Sequence, residues 1–320
     1  MRAYIIRRLI LIIPTLILVT MLVFLFVRLI PGSVIDLIMQ EHMFETMRNR
    51  EVNIAAIEHR LGLDVPIYVQ YSRWMMGVFR GDLGESMWTN VSVAEEIGKK
   101  IPVSLELGLL GITVGLLIAL PIGVYSAIRQ DSPWDYIGRS FSILCIAVPN
   151  FWLATMVIVF PSIWWNWTPN LELIPFIQNP IENLKQFIIP SIILGMSLSG
   201  VTMRMARTMM LEVLRQDYTR TAWAKGLRER VVIFRHALKN AMIPVVTIAA
   251  FQIPMLIGGS VIIEQIFNLP GMGRYFLEAI SQRDYTIVSG INLVIAAVVL
   301  LNNVATDLTY SFLDPRIRYR

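Results

Sequence analysis

The chain has 320 residues, of which 55% are hydrophobic and only 16% charged, with a formal net charge of +5. Mean hydropathy is +0.60, and soluble domains usually carry roughly 25% charged residues, so the composition excludes a pair of soluble domains and describes one polytopic membrane unit. The single cysteine, Cys145, lies inside an apolar run, which excludes an intrachain disulfide, a CxxC pair and a thiolate metal cage.

Stretches free of charge predict six spans: Leu9 to Val27, Leu107 to Ile128, Ser140 to Leu171, Gln186 to Met203, Asn240 to Ile263 and Tyr285 to Thr306. Each is near or above the roughly 18–20 residues that cross about 30 Å of hydrocarbon at about 1.5 Å per residue. Arg2, Arg7 and Arg8 precede the first span and no small-residue cleavage pattern follows it, so it reads as an uncleaved anchor. The segment from Pro31 to Pro102 is the only sizeable stretch outside the membrane. Within it Asn53 to Arg60 reads as a short helix, LGLDVPIY as its ending and turn, and VQYSRWMMGVF as an amphipathic helix closed by Arg80-Gly81-Asp82-Leu83-Gly84. Such a segment either covers the mouth of a pathway or is a passive cap.

In the second span Glu106 sits at the edge, where solvent or Lys99 offsets its charge, and Gly111 with Gly115 forms a GxxxG pattern. The third run is too long for one straight span. Pro149 predicts a kink in it, and Pro161 followed by WWNWTP places aromatic rings at the headgroup level. The small residues from Gly195 to Gly200 read as a close-packing stretch of the fourth span, since GxSxG is not met. In the sixth, Asp307 either pairs with Arg316 or a backbone donor, or lines a pathway.

Charge sorts these loops onto two sides. With the amino terminus inside, the residues before Leu9, the loops 129–139 and 204–239 and the tail after Phe312 carry 17 basic and 6 acidic residues, against 11 and 15 on the opposite side. Both termini are therefore expected in the cytoplasm. The basic balance reflects topology, and nucleic acid is excluded as a partner because no basic, aromatic soluble surface exists.

The densest basic stretch runs from Glu212 to Lys239. Asp217 reads as an N-cap, Tyr218 to Lys225 as a helix of about two turns, and Gly226 as its left-handed end. The acid lies at the positive end of the helix dipole and Lys225 at the negative end. A second helix starts near Arg228, carries Arg235, His236 and Lys239, and runs through Pro244 into the fifth span. Physics alone leaves two readings open, an ordinary solvated basic loop or a short stiff rod that docks a partner.

The segment DYTRTAWAKGL followed by HALKNAMIPVVT resembles the EAA loop of ATP-binding-cassette (ABC) importer permeases, in the form of the oligopeptide and dipeptide permease family. Further stretches match that family in order: YIIRRLILIIPTLI, FVRLIPGS, GDLGES, VPNFW, FIIPSIILG, MLEVLRQDY, GGSVIIEQIFNLPGMGR, RDY and DLTYSFLDPRIR. The resemblance implies an all-α membrane protein with six transmembrane helices, the type I importer permease fold and a helical extracytoplasmic loop. Its parts are residues 1–30 with the first helix, the loop 31–102, and a five-helix core 103–320 with the coupling loop at 204–239.

It also implies a coupling helix that docks on a separate ATPase, made of Asp217, Tyr218, Thr219, Arg220, Thr221, Ala222, Trp223, Ala224, Lys225 and Gly226. Ala222 and Ala224 are expected to allow close approach to that partner, and Gly226 to set the break before the next helix. Arg220 and Thr221 stand where the general pattern has Glu and Ala, and Pro244 lies further beyond the glycine; the peptide-permease form shares these shifts. The implied partners are a second, different permease forming a heterodimer, two cytoplasmic ATPases that hold ATP and Mg, an extracytoplasmic substrate-binding protein and the lipid bilayer of a bacterial or archaeal inner membrane. The chain itself is expected to bind no cofactor and to be no enzyme, since it has no GxxxxGK[ST] and no HExxH. Short peptides are the expected cargo, with nickel and glutathione importers in the same family. An ion-coupled transporter would need mid-membrane carboxylates and paired repeats; only Asp307 qualifies, and no repeat is present.

Overall fold

A computed structural model describes residues 2–29, 58–59, 62–170 and 172–313, with the side chains of 2–9, 254–259 and 307–313 outside that description. The expected helix Asn53 to Arg60 and the pairing of Asp307 with Arg316 therefore lie outside the described residues. In chain order the helices are α1 (Arg2–Leu29), α2 (Ile67–Phe79), α3 (Val93–Ile128), α4 (Pro133–Ala147), α5 (Asn150–Trp165), α6 (Pro180–Leu214), α7 (Asp217–Ala224), α8 (Glu229–Val231), a π-helix (Val232–Leu238), α9 (Lys239–Ile266), α10 (Met272–Gln282) and α11 (Tyr285–Leu313). Among the described residues, five helical stretches are long and apolar enough to cross a membrane, and a sixth span results if α4 and α5 count as one. Those two meet at 91°, so the expected kink at Pro149 is a sharp break. Pro149 has no N–H to continue a helix, and Val148 and Pro149 are both extended. Pro161 stays inside α5, which ends at Asn166 in the left-handed conformation.

The chain divides into two compact units, Met1–Pro102 with Gly271–Val304 and Val103–Pro270 with Ala305–Arg320. In the first, α2 lies on α1. The Tyr71 hydroxyl donates to the Ile17 carbonyl at 3.0 Å, and Phe24 meets the Tyr71 ring edge to face at 5.3 Å. Asp284, fully buried, holds the other side of this unit. Its Oδ1 accepts from the Ile287 amide and so caps α11, while its Oδ2 accepts from Ser86 Oγ at 2.7 Å and the Met87 amide at 2.9 Å. The tripeptide Arg283-Asp284-Tyr285 thus has one physical reading: a left-handed end of α10, a cap, and the first residue of α11. The α10 helix was not expected from the sequence. Burial and the nearby charges of Asp284, Glu96 and Glu278 push its Tyr275 phenol up to about 12, so it stays neutral.

The second unit is built around α6, whose glycines take neighbouring backbones at close range. A β-carbon on Gly195 would lie 2.7 Å from the Gly111 carbonyl oxygen and 2.9 Å from the Gly115 amide of α3. The GxxxG pattern therefore marks a real helix contact, made with α6. On another side Gly200 accepts α4, where a β-carbon would lie 2.8 Å from the Ser142 carbonyl oxygen, and Ser142 Oγ donates to the Gly200 carbonyl at 2.7 Å. Leu107, Ala154, Phe187, Leu194 and Ile263 close the core between α3, α5, α6 and α9. Lys99 does not offset Glu106: it pairs with Glu95 and Glu96, one helical turn away on its own face, and the Glu106 carboxylate has Asn183 beside it.

These contacts set a clear contrast. Gly195→Val should lower the thermal unfolding midpoint of the detergent-solubilised protein, because overpacking a filled site costs about 1–3 kcal/mol, whereas Gly98→Ala, with open space around it, should leave the midpoint unchanged or raised.

Candidate functional site

The segment that joins α6 to α9 is built by local rules. Arg215 closes α6, and Gln216, extended at φ −70° and ψ 149°, turns the chain into α7. Gln216 and not Asp217 is thus the N-cap, and its side chain makes no capping bond. Asp217 is the first residue of the helix, where a carboxylate still meets the positive end of the dipole. The helix stops one residue earlier than expected, at Ala224, with Lys225 as its C-cap. Gly226 has φ +73°, and the amides of Gly226 and Leu227 donate to the carbonyls of Trp223 and Ala222. This is a Schellman ending, which requires a left-handed residue where glycine is favoured. Nothing lies within 4 Å of a β-carbon at Gly226, so backbone conformation, not space, selects glycine there.

The two faces of α7 differ sharply. Thr219 has no exposed surface and Ala222 only 5%. Thr219 Oγ1 donates to the Val213 carbonyl at 2.9 Å, and Asn240 Nδ2 of α9 donates to the Tyr218 hydroxyl at 2.9 Å. Asp217, Arg220, Thr221, Trp223, Ala224, Lys225 and Gly226 are exposed. Ala222 therefore cannot offer close approach to a partner. It lies three residues after Thr219, on the same helix face, and that face is spent on the chain's own interior; Ala224 remains free. Asp217 and Arg220 form an exposed ion pair at 3.7 Å, a kind that contributes little in water.

Beneath α7 lies the π-helix, a geometry that sequence periodicity did not reveal. Its Ile233 and Ala237 join Val124 and Ala127 of α3, Met210 of α6 and Ala241 of α9 in one core. A second unforeseen element is the fork between Arg207 and Asp135. Nε and Nη2 of Arg207 each donate to a different oxygen of Asp135 at 2.7 Å, and Asp135 is fully buried. Asp135 also accepts from the Asp131 amide, while Ser132 caps α4 by accepting from the Asp135 amide. The signal for this cap, Ser132-Pro133-Trp134-Asp135, was present in the sequence. Nothing in the sequence named Arg207 as the partner.

The exposed face of α7 carries no set of groups for bond chemistry, and among the described residues no cluster of three His, Cys, Asp or Glu side chains is placed to hold a metal. An open groove of about 610 Å³ runs beside it, lined by Arg207, Glu212, Arg215, Asp217 and Arg220 among others. The arrangement leaves one face of α7 exposed while the other is bonded to the ends of α6 and α9.

Comparison with known proteins gives a consistent answer. The family described as binding-protein-dependent transport system inner membrane component matches residues 119–319, and its N-terminal part matches residues 1–108. The dipeptide transport system permease protein DppB of Alkalihalophilus pseudofirmus is 38% identical over all of this chain and all of its own length. DppB of Escherichia coli K12 is 36% identical with the same complete coverage. Among solved structures, the MetNI methionine ABC transporter in an inward-facing form aligns with a TM-score of 0.55 and 16% identity, covering 68% of this chain and 96% of that one, which is a likeness of fold.

Breaking the fork should be costly. Asp135→Ala strands a guanidinium against α4, and a loss of about 3 kcal/mol is expected, read as a lower unfolding midpoint in detergent. Replacing both partners together, Asp135→Leu with Arg207→Met, should recover part of that loss.

Proposed function

Because this chain belongs to the family of binding-protein-dependent transport system inner membrane components, we propose that residues 217–226 are the helix through which partner ATPases drive it. The chain is a multi-pass inner-membrane permease of an ABC importer. In the proposed division of labour it works beside a second, homologous permease, receives cargo from an extracytoplasmic binding protein, and is powered by two cytoplasmic ATPases that hold ATP and Mg. Both termini and the 204–239 loop face the cytoplasm, in keeping with the distribution of basic residues.

One observation carries this reading: α7 is seated by Thr219 and Ala222 while Asp217, Arg220, Ala224 and Lys225 face outward. A loop held inside by charge alone has no need of a buried face, whereas a lever does. When the ATPases close, α7 moves as a rigid body; the Thr219 bond passes the movement to the end of α6 and the Tyr218 bond passes it to α9. These spans then alternate access between the two sides of the membrane. Short peptides are the proposed cargo, supported by full-length relatives named as dipeptide permeases.

Gly226→Pro should abolish both ATPase co-purification and uptake of labelled dialanine by the reconstituted transporter while membrane insertion persists, because proline's φ near −65° cannot meet +73°. Normal uptake by this variant would remove the lever. Arg220→Glu, which alters only the exposed face, should weaken co-purification of the ATPase without changing the unfolding midpoint. The purified chain alone should not hydrolyse ATP, and intrinsic turnover would overturn the division of labour.

A further inference from the structure

The first unit contains a cavity of about 760 Å³ that the lever does not use. Its walls come from the end of α1, from α2, from the 84–90 loop and from the start of α11. Two features fit it to a ligand carrying both signs of charge. The first is Arg28. It lies at the end of an apolar span, where an arginine usually reaches out to the headgroups, yet here it is half-buried and turned inward. Its guanidinium stacks on the Phe24 ring at 3.4 Å, lies 5.4 Å from the Tyr285 ring, and donates to Gln70 Oε1 at 2.8 Å. Among the described residues no carboxylate pairs with it. The second is Ser289, which lines the same cavity, is 3% exposed, and has a hydroxyl with no hydrogen-bond partner among the described residues. Among the described residues the half-buried cation meets only neutral acceptors, Gln70 Oε1 and the Phe24 carbonyl, and the buried hydroxyl meets none; a carboxylate supplies a charged acceptor to the first and an acceptor to the second.

The rim selects among anions. Arg73 adds a second positive charge and Glu85 a negative one. Glu85 repels a multiply charged phosphate and offers a partner to an ammonium group. The loop that carries Glu85 is fixed in place, since Asp284 binds Ser86 and Met87, and Gly84 at φ +88° would place a β-carbon 2.7 Å from Thr286. The volume falls within the about 300–1,000 Å³ usual for small-molecule sites.

We propose that this cavity binds the free α-carboxylate of a short peptide through Arg28 and Ser289, with Glu85 facing the peptide's ammonium end. The assignment rests on peptides being the cargo, and it makes the first unit a checkpoint for zwitterionic substrate, separate from the ATPase-driven lever.

The test uses the full-length chain in phosphatidylcholine nanodiscs with tritiated dialanine as probe, and with dialanine amide and glycerol 3-phosphate as competitors. Dialanine should bind, its amide should compete at least about tenfold more weakly, and glycerol 3-phosphate should not displace it. Arg28→Gln should raise the Kd at least about tenfold, and Ser289→Ala should raise it by less, since a bond to a charged group loses more than a neutral one. The comparison of acid with amide on the unaltered chain needs no variant to fold. Absence of binding, equal competition by the amide, unchanged affinity in Arg28→Gln, or stronger displacement by glycerol 3-phosphate would each overturn the proposal. Dialanine uptake by the complete reconstituted transporter separates the two levels: uptake alongside any of those results leaves the cargo reading standing without this site, and a complex that carries no peptide removes both.

Discussion

A helix of eight residues does not persist alone in water, where even favourable sequences need about 12–15 residues to be stable. α7 exists because tertiary contacts hold it, and the contacts are few: a buried Thr219 bonded to the end of α6, a buried Ala222, and a Tyr218 hydroxyl bonded to α9. The features that stabilise the rod are therefore the ones that attach it to the spans. A partner that displaces α7 cannot leave α6 and α9 where they are without breaking those bonds. The remaining face is free to be read by another protein, and the Schellman ending at Gly226 keeps the next segment from continuing the rod.

The spans to which α7 is tied obey a different constraint. Lipid is as apolar as leucine, so burial gives little drive for helices to associate within it, and close van der Waals contact with interhelical hydrogen bonds must supply the difference. The second unit uses both means. Gly195 and Gly200 let α3 and α4 approach α6 at backbone distance, while Ser142 and Gln252 add bonds to Gly200 and Thr202. Where α4 begins, the Asp135–Arg207 fork holds α6 about two turns before its end. A helix fixed this closely moves as a body, which suits a lever better than a flexible joint would. The π-helix is the exception, an irregular stretch placed directly under the rod. Such stretches occur often at functional sites because one added residue per turn is accommodated only where the surroundings require it.

The first unit is organised by polar groups. Asp284 gathers the cap of α11 and the 82–92 loop around one buried carboxylate, satisfied at both oxygens. Ser289 shows the opposite condition in the same unit, a buried hydroxyl with no partner among the described residues, and it lines the same open volume as Arg28, whose recorded acceptors are neutral. Most buried polar groups are answered within the chain, and an unanswered one beside an open volume is a place where a ligand can supply the missing bond.

The hydrophobic runs alone located the spans, because 18 or more uncharged residues have few other uses, and the punctuation by Gly226 and Pro149 located two helix breaks, because φ limits are local. The amphipathic α2 and the break after α7 were legible for the same reason. What only tertiary structure decided was which partner each residue meets: that Ala222 faces inward, that Gly111 and Gly115 serve α6, that Asp135 waits for Arg207 across 72 residues of sequence, and that a register change converts the seven residues after Val231 into a π-helix. The bend of 91° between α4 and α5 belongs to the same group, since proline forbids a continuous hydrogen-bond ladder without dictating an angle. Periodicity and composition act along the chain, whereas pairing across it depends on how separate helices come to pack, and no single segment carries that information.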